Sequence, residues 1–234
     1  MTFCIGIKTK TGIVALSDTR ISSGLGVSTS KKIQSYQDDN NSFFIMSSGL
    51  RSIRDKVIHY FEDASEDEPL DKLYKVVNLL GNTVKKVRNE DMDSLVESKF
   101  TFDAHFIIGG QCSKDKKSSL FLIFPEGNWV EASDESPYSI IGNTGFGKPI
   151  LRRLLHEEVT FDLAIKVAFL SFDATFKNAS DVDFPLDFAL YKNDTFSIKE
   201  FRKEEADLAG ISHQWNEVLT KAALNLPNFL HFDD

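Results

Sequence analysis

The sequence predicts an α+β protein built as two antiparallel sheets stacked face to face, with helices over both outer sides. Three observations carry this. The elements read as strands, two helices, strands, two helices, strands and a helix, which is not the β-α-β alternation of a doubly wound sheet. The strands are continuously apolar rather than alternating, as expected of strands buried on both faces. The length, 234 residues, with 41% hydrophobic and 26% charged residues, is enough for a sizeable core. No repeat or linker interrupts the chain, so residues 1–234 are read as one domain with a C-terminal helical extension from about 203.

In chain order, Thr2 to Ile7 and Ile13 to Leu16 read as a hairpin across the turn Lys10-Thr11-Gly12. The Gly- and Ser-rich stretch Ile21 to Ser30 reads as loop, and Ser42 to Ser48 as a buried strand ending at Gly49. Ile53, Val57, Ile58 and Phe61 mark one face of a first helix. An acidic break at Glu66 to Pro69 precedes a longer helix with the stripe Leu73, Val76, Val77, Leu80, Val84 and Val87. Gly81 inside that stripe costs roughly 1 kcal/mol against Ala, and marks close packing. Strands follow at Ala104 to Gly109, Ser119 to Phe124, Trp129 to Glu131 and Tyr138 to Ile141. Cys112 to Lys117 forms a basic turn between the first two of these. Pro149 to Leu155 reads as a helix with Pro in its first turn. Thr160 caps a helix to about Phe176 whose apolar face includes Leu163, Val167 and Leu170. Two closing strands, Phe184 to Tyr191 and Thr195 to Phe201, lead to an amphipathic helix from about Lys203 to Leu224.

The formal charge of -8 argues against a nucleic-acid binder. The two cysteines, Cys4 and Cys112, and five scattered histidines have no zinc or iron–sulfur spacing, so neither a metal nor a cofactor is expected. The same cysteine usage suggests a reducing cytoplasm. No signal peptide is read at the N-terminus, and no apolar run approaches the ~20 residues that span a bilayer. The 20 phenylalanines and Cys4 are read as core residues, and Glu62 to Asp71 as a solvated loop.

The chemistry gathers at the start of the chain. Removal of Met1 would leave Thr2 with a hydroxyl nucleophile and a free α-amino group on one residue. That amine has an ordinary pKa of ~7.7–8.0, against ~10.4 for lysine, so it can accept the hydroxyl proton near neutrality. Nucleophile and base within reach are the signature of covalent acyl transfer. Alone, Asp18 in Ser17-Asp18-Thr19-Arg20 reads as a cap or ion pair, and Lys32 as a surface lysine. Their spacing from a threonine at position 2 joins them into one candidate site. The run Gly142 to Lys148 nearly spells a phosphate-binding loop. Its final position is Pro149, which offers neither the hydroxyl nor the N–H that loop needs, so the run reads as a turn into a helix.

Thr2, Ser17-Asp18-Thr19-Arg20, Lys31-Lys32-Ile33 and Ser48-Gly49 together resemble proteasome β-type subunits, which are N-terminal-nucleophile hydrolases. Three further stretches narrow the resemblance to the bacterial proteasome-like family Anbu (ancestral beta subunit). They are Thr2-Phe3-Cys4, Phe146 to Leu151, and Ser171 to Thr175 leading to Pro185-Leu186-Asp187. The resemblance implies a four-layer αββα sandwich and a threonine peptidase subunit, with Thr2 as nucleophile and base. It places Lys32 beside Thr2 and has Asp18 bind Lys32. It further implies the Gly49 N–H as oxyanion donor, and a serine, Ser180, hydrogen-bonded near the threonine amine. Three features depart from the proteasome pattern: Lys177 replaces an aspartate three residues before that serine, the loop Asn178 to Phe184 is slightly longer, and Asn143-Thr144 replaces Gly-Ser-Gly.

The resemblance implies a homo-oligomer, a ring or open helical ring, acting on peptide or protein substrates. No motif points to a particular ATPase partner. Two other functions stand beside this one. A small-molecule amidase on the same fold usually begins with Cys or Ser and lacks the Asp–Lys pair. A non-catalytic assembly subunit carries a helix before its first strand, which this sequence does not predict.

Overall fold

The computed structural model describes residues 2–23 and 26–228. In chain order the elements are β1 (Phe3–Thr9), β2 (Gly12–Asp18), β3 (Arg20–Ser23), β4 (Gly26–Thr29), β5 (Ile33–Gln37) and β6 (Ser42–Gly49). Then come α1 (Arg51–Ser65), α2 (Leu73–Glu97), β7 (Ala104–Gln111), β8 (Ser119–Ile123), β9 (Trp129–Glu131) and β10 (Tyr138–Gly142). The chain continues through α3 (Lys148–Leu154), α4 (Phe161–Phe176), β11 (Leu186–Lys192), β12 (Ile198–Lys203) and α5 (Glu205–Leu224). One five-stranded sheet has the order β10-β1-β2-β11-β12 and the other β5-β6-β7-β8-β9, with every pairing antiparallel.

Continuous apolar strands arise because alternate residues of one strand serve different cores. Phe3, Ile5 and Ile7 of β1 and Val14 and Leu16 of β2 pack outward onto Ala164, Val167 and Phe172 of α4. Cys4, Ile13 and Ala15, from the same two strands, face inward against Phe44, Met46, Ile107 and Leu120 of the second sheet. In that sheet Phe43, Ile45, Phe106 and Ile108 face outward onto Ile53, Val57, Val76 and Leu80 of α1 and α2. The result is the four-layer αββα sandwich. Gly81 of α2 lies against Gly127, and a side chain there would strike the Gly127 carbonyl, which is the close packing its position predicts.

One end of the sandwich is closed by hydrogen bonds between the sheets. The buried Tyr191 donates through Oη to Gln111 Oε1 at 2.9 Å, and the Asp194 N–H donates to the same oxygen at 3.0 Å. Gln111 Nε2 in turn donates to Asp194 Oδ1 at 2.8 Å. The opposite end carries Thr2 and Asp18. There the sheets are joined by the Cys4 thiol, which approaches the Ser47 carbonyl at 3.8 Å.

Two expectations need correction. Residues 21–30 are not all loop: β3 and β4 form a hairpin, with Arg20 opposite Thr29 and Ile21 opposite Ser28. Backbone pairing suffices for such a ribbon, so a composition rich in Ser and Gly hides it. Leu163 is exposed, and α4 instead buries Ala164, Val167, Ala168 and Leu170. The C-terminal helix is weakly buried, with Leu208 its one buried residue and Ile211, Val218 and Leu219 exposed. Among the described residues no helix is long and apolar enough to cross a membrane.

Candidate active site

The candidate residues come from strand ends on the open side of the sandwich. Thr2 immediately precedes β1, Asp18 ends β2, Lys32 precedes β5 and Gly49 ends β6. Pairing of Cys4 with Ser17 brings the start of β1 beside the end of β2. Ile33, anchored in the core between the sheets, holds the adjacent Lys32 at their mouth.

Lys32 Nζ donates to Asp18 Oδ1 at 2.6 Å, and the Phe3 N–H donates to the same oxygen at 2.8 Å. Asp18 is fully buried, and Thr2 and Lys32 are 7% and 6% exposed. Unpaired charges at such depth would be costly, so each makes the other's burial tolerable. Burial is the strongest influence on Asp18 and pushes its carboxyl above the ordinary range, while the Lys32 ammonium and the Phe3 N–H pull against it. The ion pair is thus one amide away from Thr2.

Thr2 is also held through its carbonyl, which accepts the Asn143 N–H at 2.6 Å. Gly142 makes this possible. Its φ of +84° is one that L side chains avoid, and a Cβ there would strike the Thr2 carbonyl. Asn143 Nδ2 reaches Asp181 Oδ1 at 3.4 Å, linking the Thr2 clamp to the loop after α4. That loop is tied to the β2–β3 corner by Thr19 Oγ1 donating to the Pro185 carbonyl at 2.9 Å and by Arg20 pairing with Asp183 at 2.6 Å. Asn143 and Asp181 were not among the predicted site residues. The departure from Gly-Ser-Gly at 143–144 was the available signal for Asn143. Asp181 had only its place beside Ser180.

Ser180 itself lies exposed in the turn after α4, next to Asp181. Lys177 points elsewhere: its ammonium binds Asp173 at 2.8 Å and the Ser212 hydroxyl at 2.7 Å, fastening α4 to α5. Gly49 has φ +115°, and a side chain there would strike the Asp103 carbonyl, so this corner admits only glycine without rearrangement. Cys4 is fully buried, and burial pushes its thiol far above the ordinary range. Among the described residues no group of His, Cys, Asp and Glu could hold a metal ion. Met1 and His231 lie outside the described residues.

A buried ammonium–carboxylate pair one amide from a threonine at the mouth of an αββα sandwich defines a class. The chain belongs to the proteasome-subunit family: the family described as Proteasome subunit matches it over residues 2–185. Within that family it resembles Anbu, the ancestral beta subunit. A mutant of Anbu from Hyphomicrobium sp. strain MC1 is 28% identical, with a TM-score of 0.91 over 99% of this chain and 100% of that one. Anbu from Yersinia bercovieri is 28% identical, with a TM-score of 0.88 over 99% and 100%. The helical assembly of the Anbu complex from Pseudomonas aeruginosa is 25% identical, with a TM-score of 0.89 over 97% of each chain. No curated protein matches the chain.

Proposed function

We propose that this chain is a threonine-type N-terminal-nucleophile hydrolase subunit that cleaves peptide or amide bonds once Met1 is removed. The observation that supports it best is the buried Lys32–Asp18 pair, anchored to the Phe3 amide beside Thr2. In this reading the Thr2 Oγ attacks the substrate carbonyl carbon, and its proton passes to the Thr2 α-amine. The Lys32 ammonium favours the neutral amine and stabilises the developing alkoxide, with Asp18 holding it in place. The Gly49 N–H stabilises the oxyanion. The amine then gives its proton to the departing amine, the C–N bond breaks and an ester on Thr2 remains. Water hydrolyses that ester and regenerates the hydroxyl. Ser180 assists near the threonine amine.

The subunit assembles with its own copies into a ring or open helical ring in the cytoplasm. The support is the similar Anbu complex of Pseudomonas aeruginosa, which forms a helical assembly. A head-to-tail interface gives either closure or an open spiral. The test of the catalytic reading is intact mass followed by labelling with a β-lactone. The expected result is loss of Met1 and one adduct on Thr2, absent from Thr2→Ala. Retention of Met1 by every molecule, or an adduct on another residue, would overturn the reading.

A further inference from the structure

The end of the sandwich away from Thr2 holds a cleft that the peptidase reading leaves unused. Segments distant in sequence converge on it. The cleft measures about 240 Å³, and its walls include Lys8, Lys10, Lys117, Asp134, Glu157 and Asn193.

Lys8 is the unusual group in it. The residue is 8% exposed, yet among the described residues its ammonium has only two long contacts, to Asp134 Oδ1 at 3.2 Å and to the Ala132 carbonyl at 3.5 Å. Charge-assisted bonds of this type ordinarily run ~2.7–2.9 Å, and an ammonium has three protons to place. Asp134 is itself 59% exposed, so its carboxylate covers Lys8 from the solvent side. Lys10 and Lys117 line the same cleft as Lys8 and Asp134, and Lys8 first, then Lys117 and Lys10, hold the Asp134 carboxylate below its ordinary range. Lys10 is otherwise paired with Glu158 at 2.7 Å, and Glu157 adds a second acidic group to the wall. Asn193 fixes the floor, accepting from Ser118 Oγ at 2.6 Å and donating to the Lys10 carbonyl at 3.0 Å.

We propose that this cleft binds a compact oxyanion, a phosphate or a carboxylate, which takes the place of the Asp134 carboxylate against Lys8 and Lys117. Lys8 lies six residues along the chain from Thr2, about 20 Å at the rise of a strand. The site is therefore separate from the candidate active site and does not depend on Thr2 chemistry.

The test is titration calorimetry on the full chain with inorganic phosphate and, separately, acetate. Saturable binding of one anion per chain is expected. Asp134→Ala should tighten it about tenfold by removing the internal competitor, and Lys8→Met should weaken it about tenfold or more. Lys117→Ala, an exposed position, should weaken binding without altering the melting temperature, and decides the matter if Lys8→Met does not fold. Binding of phosphate alone or acetate alone supports the proposal and identifies the kind of anion. Failure of both the wild type and Asp134→Ala to bind either probe would overturn it. So would equal affinity in the wild type and Lys117→Ala.

Discussion

Asp18 Oδ1 accepts two donors at once, the Lys32 ammonium at 2.6 Å and the Phe3 N–H at 2.8 Å. One carboxylate oxygen therefore joins the ion pair to the backbone that carries Thr2. Asp18→Asn keeps an acceptor for Phe3 but leaves the Lys32 charge buried and unpaired. It should cost about 3–5 kcal/mol of stability. Adding Lys32→Met should restore part of that loss. Urea unfolding of both single variants and the double variant measures the coupling; simple additivity would show that the two charges do not depend on each other.

Gly49→Ala combines an unfavourable φ with a collision against the Asp103 carbonyl. The expected penalty is about 1–3 kcal/mol, seen as a lower melting temperature. An unchanged melting temperature would mean that the β6 corner relaxes freely.

Asp71 ties the start of α2 to the β7–β8 loop through Lys114 at 2.6 Å and Lys75 at 2.7 Å. Lys114, then Lys75, lower its carboxyl to about 2. The folded state thus holds the charged form more firmly than the unfolded chain, whose value is ~3.9. The resulting stability is present above pH ~4 and is lost as the pH falls towards 2. Melting curves of Asp71→Asn should lie below the wild type at pH 7 and converge with it near pH 2.

Burial pushes the Cys112 thiol up to about 12, and the Cys4 thiol higher still. Neither should react with a thiol reagent in the native protein, and both should react after unfolding in denaturant. Rapid native labelling of Cys4 would show that the layer between the sheets opens.

The helices were legible because their apolar stripes repeat with the helical period, and all six stripe residues of α2 are buried. The strand β5 was not: Gln34 to Gln37 lie on an edge strand and carry no apolar run, with Gln34, Ser35 and Tyr36 only partly covered and Gln37 exposed. Thr2, Asp18 and Lys32 could be read from their order along the chain. The clamp at Asn143 could not, because it acts through a backbone N–H on the Thr2 carbonyl. Its link to Asp181 spans 38 positions and exists only in the folded chain.

The alternation of β6 between two cores has a consequence for mutational coupling. Phe43 faces the helices and Phe44 faces the opposite sheet, so two neighbouring rings share few partners. Substitutions at these adjacent residues should combine nearly additively. Phe44 and Leu120, far apart in the chain but in one core, should show a measurable interaction energy. Energetic neighbourhood in this protein follows the layer a side chain enters, not its position along the strand.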